Sequence, residues 1–343
     1  MRSNEIRITP LQRGAFALVL GTAVLCGQSY SGLRGDLTVL QVDPHHRGTL
    51  IGGTATAQLY RSSDSGETWD SIKFPAALHA ALHAIVIDPG KPDVYLVALS
   101  SETQQYAGVF RTTDAGATWQ PVAGLEQRQV WALVRWKTDP KVIAAGTQEG
   151  VFLSRDGGES WALLSSPRSA WPKPVMSIAF DPTNLNTIYA GTPHLAWKTN
   201  DGGSTWVRLT RGMREDSDIF AIDVDGAQRT NLFAAACSGL YRSKDGGATW
   251  YSMDRAIGAS HRTYVVARVP SHSSMVFAAT NDGLIKSTDG GATWHRLSTD
   301  AARSIAFDPT DPNLIFVATK QGILHSEDGG VHFSGPAVLL AGQ

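Results

Sequence analysis

Cysteine is almost absent from this chain, which has only Cys26 and Cys237 among its 343 residues. At most one intrachain disulfide could form, and none remains if Cys26 is removed with a leader segment. A disulfide framework is therefore excluded as the main source of stability. We expect the fold to be held by the packing of its apolar side chains.

A surplus of basic residues is also lacking. The chain has 30 Lys and Arg against 31 Asp and Glu, which gives a formal net charge of -1. No run of Lys and Arg and no aromatic-basic motif is present, so nothing in the sequence would neutralise a row of phosphates. Nucleic acid is not an expected partner.

An apolar run long enough to span a membrane comfortably is missing as well. The clearest run, GAFALVLGTAVLCG at 14–27, follows Arg2, Arg7 and Arg13, as in a signal peptide. We expect residues 1–28 to be such a leader and the mature chain to be extracytoplasmic, either periplasmic or secreted, without a transmembrane span. Lipid anchoring at Cys26 is not favoured, because Leu25 stands where lipoprotein signals usually carry a small residue.

The chain does contain a nine-residue segment, here called the box, in seven copies. The copies are RSSDSGETW (61–69), RTTDAGATW (111–119), LSRDGGESW (153–161), KTNDGGSTW (198–206), RSKDGGATW (242–250), KSTDGGATW (286–294) and the degenerate HSEDGGVHF (325–333). Their aspartates are Asp64, Asp114, Asp156, Asp201, Asp245, Asp289 and Asp328. The gaps between them are 50, 42, 45, 44, 44 and 39 residues. Such a regular period indicates a repeat architecture.

A second repeated segment precedes each box, as in MSIAFDPTNLNTIYAGT (176–192) and RSIAFDPTDPNLIFVAT (303–319). It indicates two apolar strands joined by a turn, followed by a third strand that ends in the box and a fourth that begins at its tryptophan. Seven such units predict an all-β fold, a single seven-bladed β-propeller of four-stranded antiparallel blades. The propeller is expected over 37–340, with blades at about 37–76, 82–123, 130–165, 175–210, 219–254, 263–298 and 302–340.

The residue types of the box suit a turn between the third and fourth strands. Glycine accepts a positive φ angle, the aspartate and hydroxyls can bond to unpaired backbone groups, and the tryptophan can pack against the next blade. An enzyme needs one site, whereas a ring needs every blade fixed in place. We therefore interpret the seven box aspartates as structural.

The pattern Ser/Thr-x-Asp-x-Gly-x-Thr-Trp resembles the Asp-box, or bacterial neuraminidase repeat. Propellers with this repeat include sialidases, xyloglucan hydrolases, sortilin-type receptors and photosystem II stability and assembly factors. A single ring behind an export signal is most similar to the assembly factors and their bacterial relatives. This resemblance implies a non-catalytic binding or assembly scaffold for a protein or peptide, with a glycan as a second class of ligand.

The enzymatic relatives fit less well. No Arg-Ile-Pro motif precedes the first box, which disfavours a sialidase. The xyloglucan hydrolases place catalytic aspartates on two facing propellers, whereas this chain predicts one. A glycoside hydrolase stays as an alternative, with Asp216 and Asp218 as its candidate acid and base. A receptor that binds extended peptide, as in sortilin propellers, is the third hypothesis.

The expected binding surface is the face that carries the loops between blades, because their lengths vary on a rigid scaffold. At its centre stand the first residues of the inner-strand segments: Thr38, His83, Trp131, Met176, Phe220, Tyr264 and Arg303. We predict that His83, Trp131, Phe220, Tyr264 and Arg303 form a ligand-binding rim, able to hold a peptide side chain or a sugar ring. The alternative is that the large side chains only fill gaps between blades.

No metal or cofactor is expected. The sequence has no His-Glu-x-x-His motif, no paired-cysteine spacing and no EF-hand loop. The glycines of the boxes lack the lysine and the following helix of a phosphate-binding loop.

Overall fold

A computed structural model describes residues 33, 36–75, 80–165, 170–257, 262–270 and 272–335. Within these residues, seven antiparallel sheets follow one another along the chain, six with four strands and the last with three. The fold is the predicted all-β seven-bladed propeller. The expected leader with Cys26, and residues 336–340 of the last predicted blade, lie outside the described residues.

Each blade begins with its innermost strand. The inner strands are β1 (Leu37–Val42), β5 (Ala80–Ile87), β9 (Val130–Arg135), β13 (Ser177–Phe180), β17 (Ile219–Val224), β21 (Thr263–Val269) and β25 (Ala302–Phe307). The second strands are β2 (Leu50–Thr54), β6 (Tyr95–Ser101), β10 (Ile143–Thr147), β14 (Ile188–Gly191), β18 (Leu232–Ala236), β22 (His272–Thr280) and β26 (Ile315–Thr319). Most second-strand residues are buried, because a neighbouring blade covers each face of the sheet.

The third strands each lead into a box. They are β3 (Leu59–Ser62), β7 (Gly108–Thr112), β11 (Val151–Ser154), β15 (Ala196–Thr199), β19 (Gly239–Ser243), β23 (Gly283–Ser287) and β27 (Gly322–Ser326). The outer strands are β4 (Asp70–Ile72), β8 (Gln120–Pro121), β12 (Ala162–Leu163), β16 (Val207–Leu209), β20 (Tyr251–Ser252) and β24 (His295–Ser298). In the seventh blade, an antiparallel bridge between His325 and Ser334 occupies the place of the outer strand.

Helix is confined to two short segments of the described chain, a 3-10 turn at Gln104–Tyr106 and α1 at Asp254–Ile257. Neither of these two segments of the described chain is long and apolar enough to cross a membrane.

The apolar core is divided into clusters that lie between neighbouring blades. The cluster between the seventh and first blades contains Leu40 of β1 and Phe316 of β26, and the Leu40 N–H donates to the Ser304 hydroxyl at 3.1 Å. The last blade therefore packs on the first, and the ring is closed by side-chain contacts among the described residues.

The box tryptophans pack on the preceding blade, so the expectation that they contact the next blade is wrong. Trp250, after β19 of the fifth blade, clusters with Tyr189 and Leu209 of the fourth. Trp206 of the fourth blade clusters in the same way with Ala144 and Leu153 of the third. The repeat pattern identifies the packing surface of a blade but does not say which neighbour lies on that side.

Candidate functional site

The box turns form a uniform network of hydrogen bonds. In the fifth blade, the Ser243 hydroxyl donates to Asp245 Oδ1 at 2.8 Å, and the Gly247 N–H donates to the Ser243 hydroxyl at 2.9 Å. The Thr249 N–H also donates to Asp245 Oδ1, at 2.8 Å. The other six boxes form the equivalent bonds through Asp64, Asp114, Asp156, Asp201, Asp289 and Asp328. All seven aspartates thus accept bonds within their own turns.

These bonds stabilise the ionised carboxylates. Hydrogen bonds from the Thr118 side chain and backbone lower the pKa of Asp114 to about 2. The equivalent bonds from Thr205 lower the pKa of Asp201 to about 2. The box carboxylates are therefore charged, hydrogen-bonded acceptors at neutral pH, a state unsuited to a proton donor in catalysis.

Each box turn also bonds to the turn between the first two strands of its blade. The Gly246 N–H donates to the Thr230 carbonyl at 2.9 Å, and the Gly202 N–H donates to the Asn186 carbonyl at 2.9 Å. The two kinds of turn consequently share one face of the ring, here called the box face. The beginnings of the inner strands lie at the opposite face, here called the rim face.

The seven first residues of the inner-strand segments are all half-buried, and in six blades a local bulge sets their position. In β5, Leu82 pairs with Leu99 and Ala84 with Ala98, so His83 is the extra residue between two pairs. The same register shift places Thr38, Trp131, Phe220, Tyr264 and Arg303 between paired neighbours. In the fourth blade, Met176 precedes β13 and donates its N–H to the Gly191 carbonyl at 2.8 Å. A bulge redirects a side chain out of the regular alternation of a strand.

Three of the predicted rim residues form one contiguous stack. The rings of Phe220 and Tyr264 lie 6.2 Å apart at an interplanar angle of 31°. The Arg303 guanidinium lies 4.1 Å from the centre of the Tyr264 ring. The exposed Arg262, which the sequence reasoning missed, places its guanidinium 5.1 Å from the centre of the Phe220 ring. The order Arg262, Phe220, Tyr264, Arg303 spans the rim of blades five to seven.

His83 lies on the second blade. Its Nε2 is 2.7 Å from the Ser100 hydroxyl oxygen, and burial lowers the pKa of His83 to about 4. The imidazole is therefore neutral at neutral pH and offers the rim an uncharged polar group. Trp131 on the third blade is half-buried like the others, and no ring contact joins it to the stack among the described residues.

The two candidate catalytic carboxylates are held in different environments. The Asp216 side chain is 98% exposed and lies 4.0 Å from His194 Nδ1. Asp218 is half-buried, and its backbone exchanges bonds with Cys237, since the Cys237 N–H donates to the Asp218 carbonyl at 3.1 Å. The two side chains therefore differ in exposure, and a glycosidase acid and base pair would have to share one substrate position between them.

No group of three or more His, Cys, Asp or Glu side chains in the described ranges is arranged to hold a metal ion.

A cavity of about 190 Å³ is present at the box-face mouth of the channel, where β9, β13 and β17 end. The sequence reasoning missed this cavity, because its lining residues come from three repeats and share no motif.

Comparison with protein families gives one match. The model of a family described as photosynthesis system II assembly factor YCF48 matches residues 112–269, from the end of β7 to the end of β21. The match confirms the resemblance to the assembly factors over the middle of the chain.

Comparison with solved structures gives the same fold at low identity. YCF48 from Cyanidioschyzon merolae is 17% identical with a TM-score of 0.60, over 85% of this chain and 95% of that one. A structure of YCF48 bound to D1 peptide is 16% identical with a TM-score of 0.61, over 87% of this chain and 99% of that one. The GH74 xyloglucanase from Xanthomonas campestris is 18% identical with a TM-score of 0.66, over 88% of this chain and 53% of that one. This chain spans about half the length of the GH74 enzymes it matches.

Proposed function

We propose that this chain is an exported scaffold that binds a segment of a partner protein on its rim face. The observation that carries the proposal is the stack of Arg262, Phe220, Tyr264 and Arg303 across three blades. Half-buried aromatic rings with guanidinium groups beside them are typical of the anchoring residues of protein interfaces. Gap filling between blades would not require a redirected bulge residue on six of the seven blades.

The stack also suggests the chemistry of the partner. Guanidinium groups pair with carboxylates in bidentate geometry, and the aromatic faces can hold an apolar side chain. We infer a peptide segment that combines acidic and apolar residues. The structure of YCF48 with a bound D1 peptide supports a peptide as the class of partner for a chain of this fold.

Selection from a displayed library of random peptides against the purified mature chain tests this proposal. We expect enriched peptides to contain Asp or Glu next to an aromatic or aliphatic residue. Tyr264→Ala should weaken binding of an enriched peptide about tenfold, because a hot-spot aromatic is commonly worth 1 kcal/mol or more. Trp131→Ala tests whether the site extends to the third blade.

Tyr251→Ala is the matched control, because Tyr251 is an aromatic residue 61% exposed on the outer strand β20, away from the rim. Thermal unfolding of each variant separates loss of binding from loss of fold. Unchanged affinity for Tyr264→Ala, in a chain that remains folded, would overturn the proposal. An unfolded Tyr264→Ala variant would show that the ring fills space between blades.

A glycoside hydrolase is the second candidate, supported by the propeller fold shared with GH74 enzymes. The test is the release of reducing ends from xyloglucan, β-glucans and sialosides by the folded chain. Turnover that falls with Asp218→Asn would replace the scaffold proposal with a hydrolase. Absence of turnover on all three substrates supports the scaffold.

The exported location rests on the three arginines that precede the apolar run at 14–27. Expression of the full chain in a bacterial host, followed by fractionation and N-terminal sequencing, tests it. We expect a mature chain that begins near residue 29 in the extracytoplasmic fraction. A full-length chain in the cytoplasmic fraction would contradict export.

A further inference from the structure

The cavity at the box-face mouth is lined by three consecutive blades with different chemistry. The third blade contributes Arg135, Trp136 and Lys137, which are cationic and aromatic. The fourth blade contributes an apolar floor that includes Ile178 and Phe180, and the fifth contributes Asp223. Positive charge, hydrocarbon and negative charge therefore follow one another across the cavity.

The cationic side departs from the repeat in a way that the fold does not require. Four other inner strands are followed by Asp-Pro, and in each the aspartate accepts a backbone N–H of its turn: Asp43-Pro44, Asp88-Pro89, Asp181-Pro182 and Asp308-Pro309. In the third blade Trp136-Lys137 stands there, and Asp139 serves the turn by accepting the Lys141 N–H at 2.9 Å. Lys137 is exposed and takes no part in that turn bond. Its ammonium charge lies at the cavity and acts on the Asp223 carboxylate.

The anionic side also departs from the repeat. Asp223 is the only charged residue at its position in the inner-strand segments, where the other blades carry Gln41, Val86, Val134, Ala179, Ala267 and Ala306. Arg268 donates to Asp223 Oδ2 through Nε at 2.6 Å and to Asp225 Oδ2 through Nη1 at 2.9 Å. The Arg268 backbone N–H also donates to Asp223 Oδ1 at 3.2 Å, so each oxygen of this carboxylate accepts one bond and can accept a second. Burial raises the pKa of Asp223, whereas the charges of Arg268 and Lys137 act to lower it, and a ligand cation beside the carboxylate would further favour its ionised form.

We propose that this cavity binds a zwitterion whose ammonium and carboxylate groups are separated by a short hydrocarbon chain. The ammonium lies against Asp223, the chain lies over Ile178 and Phe180 beside the Trp136 indole, and the carboxylate lies against Lys137. A free ω-amino acid and the C-terminal lysine of another protein share these groups. The site lies on the face opposite the rim and does not depend on the proposed function.

The volume of the cavity fits such a ligand. At about 190 Å³ it exceeds the cavity of about 150 Å³ that takes up benzene in an engineered protein core. A chain of five or six carbons can therefore lie in it. The Trp136 Nε1–H is already bonded to the Asp181 carbonyl at 3.0 Å, which fixes the indole as one wall of the cavity.

Calorimetric titration of the folded chain with 6-aminohexanoate tests the proposal. We expect saturable binding, with hexanoate and hexylamine each at least tenfold weaker, because each lacks one of the charge-assisted bonds. Lys137→Gln should weaken 6-aminohexanoate about tenfold. Lys141→Gln is the matched control, an exposed lysine on the same turn that does not line the cavity.

Ala179→Leu provides a second variant that keeps every charge but fills part of the cavity, and we expect it to abolish binding. Tyr264→Ala, on the rim, should leave binding of 6-aminohexanoate unchanged. A short peptide that ends in lysine, compared with its C-terminal amide, distinguishes the two sources of the ligand. Absence of saturable binding, equal binding of hexanoate, or equal effects of Lys137→Gln and Lys141→Gln would each overturn the proposal.

Discussion

At the scale of single residues, the box aspartate connects the two strands that flank its turn. Asp245 accepts bonds from the Ser243 hydroxyl and the Thr249 N–H, both at 2.8 Å. Asp245→Ala removes both acceptor contacts, and we expect the free energy of unfolding to fall by about 1 to 3 kcal/mol. Urea denaturation measures the change, with the exposed Glu215→Ala as control. Equal stability of the two variants would contradict a structural role for the box.

The same bonds make stability depend on acid pH. The pKa of Asp114 and that of Asp201 are lowered from 3.8 to about 2 in the folded chain. A depressed pKa means that the unfolded chain binds the proton more tightly, so the stabilisation is complete above about pH 4 and lost as pH falls towards 2. We expect the melting temperature to fall over this range. The melting temperature of Asp114→Asn should fall less steeply with pH than that of the wild type. Parallel curves for the two proteins would show that the box aspartates are not the origin of the pH dependence.

The rim illustrates what could and could not be predicted for single residues. Aligning the repeats identified the column that contains His83, Tyr264 and Arg303, because equivalent residues occupy equivalent places in a propeller. The bulges that redirect these side chains could not be inferred from the sequence. Assigning alternate residues to opposite faces of a strand assumes regular pairing with its neighbour. Arg262 was not predicted as a rim residue, because it lies in a loop outside the repeated segments that were aligned.

At the scale of the element, the glycine at the sixth position of each box brings one blade against the previous one. Gly291 has a φ of +90°, and an added Cβ would lie 2.4 Å from Phe233 Cζ of the fifth blade. Its neighbour Gly290 has a φ of +70° with nothing within 4 Å of an added Cβ. Comparing an alanine substitution at each of the two glycines therefore separates the stability cost of backbone strain from the cost of disturbed packing between blades.

We expect Gly290→Ala to cost about 1 kcal/mol, the usual penalty for a left-handed alanine. Gly291→Ala should cost roughly 1 to 3 kcal/mol more, because the methyl group must displace the Phe233 ring. Chemical denaturation of both variants gives the comparison. Equal costs would mean that the box glycine serves only the turn and that the contact between blades adds nothing.

At the scale of the whole molecule, the number and kind of blades could be predicted because each repeat needs the same strands and the same turn. The direction in which the box tryptophan packs could not, since the order of neighbours depends on how the ring is assembled in space. The cavity was also beyond prediction, because Lys137 and Asp223 are brought to one mouth only by the packing of blades three to five. The packing of consecutive blades is therefore the feature on which both proposed sites depend.

Closure of the ring predicts that the chain unfolds cooperatively, in a single transition. Phe316 is fully buried between the seventh and first blades, and Phe277 is fully buried between the sixth and seventh. In a closed ring the two interfaces are equivalent, so Phe316→Ala and Phe277→Ala should each cost about 3 to 5 kcal/mol and keep a single unfolding transition. In an open stack of repeats, contacts at the ends add little to the rest of the array. Calorimetry that finds a much smaller loss for Phe316→Ala, or a separate early transition, would show that the contact between the first and last blades does not hold the ring together.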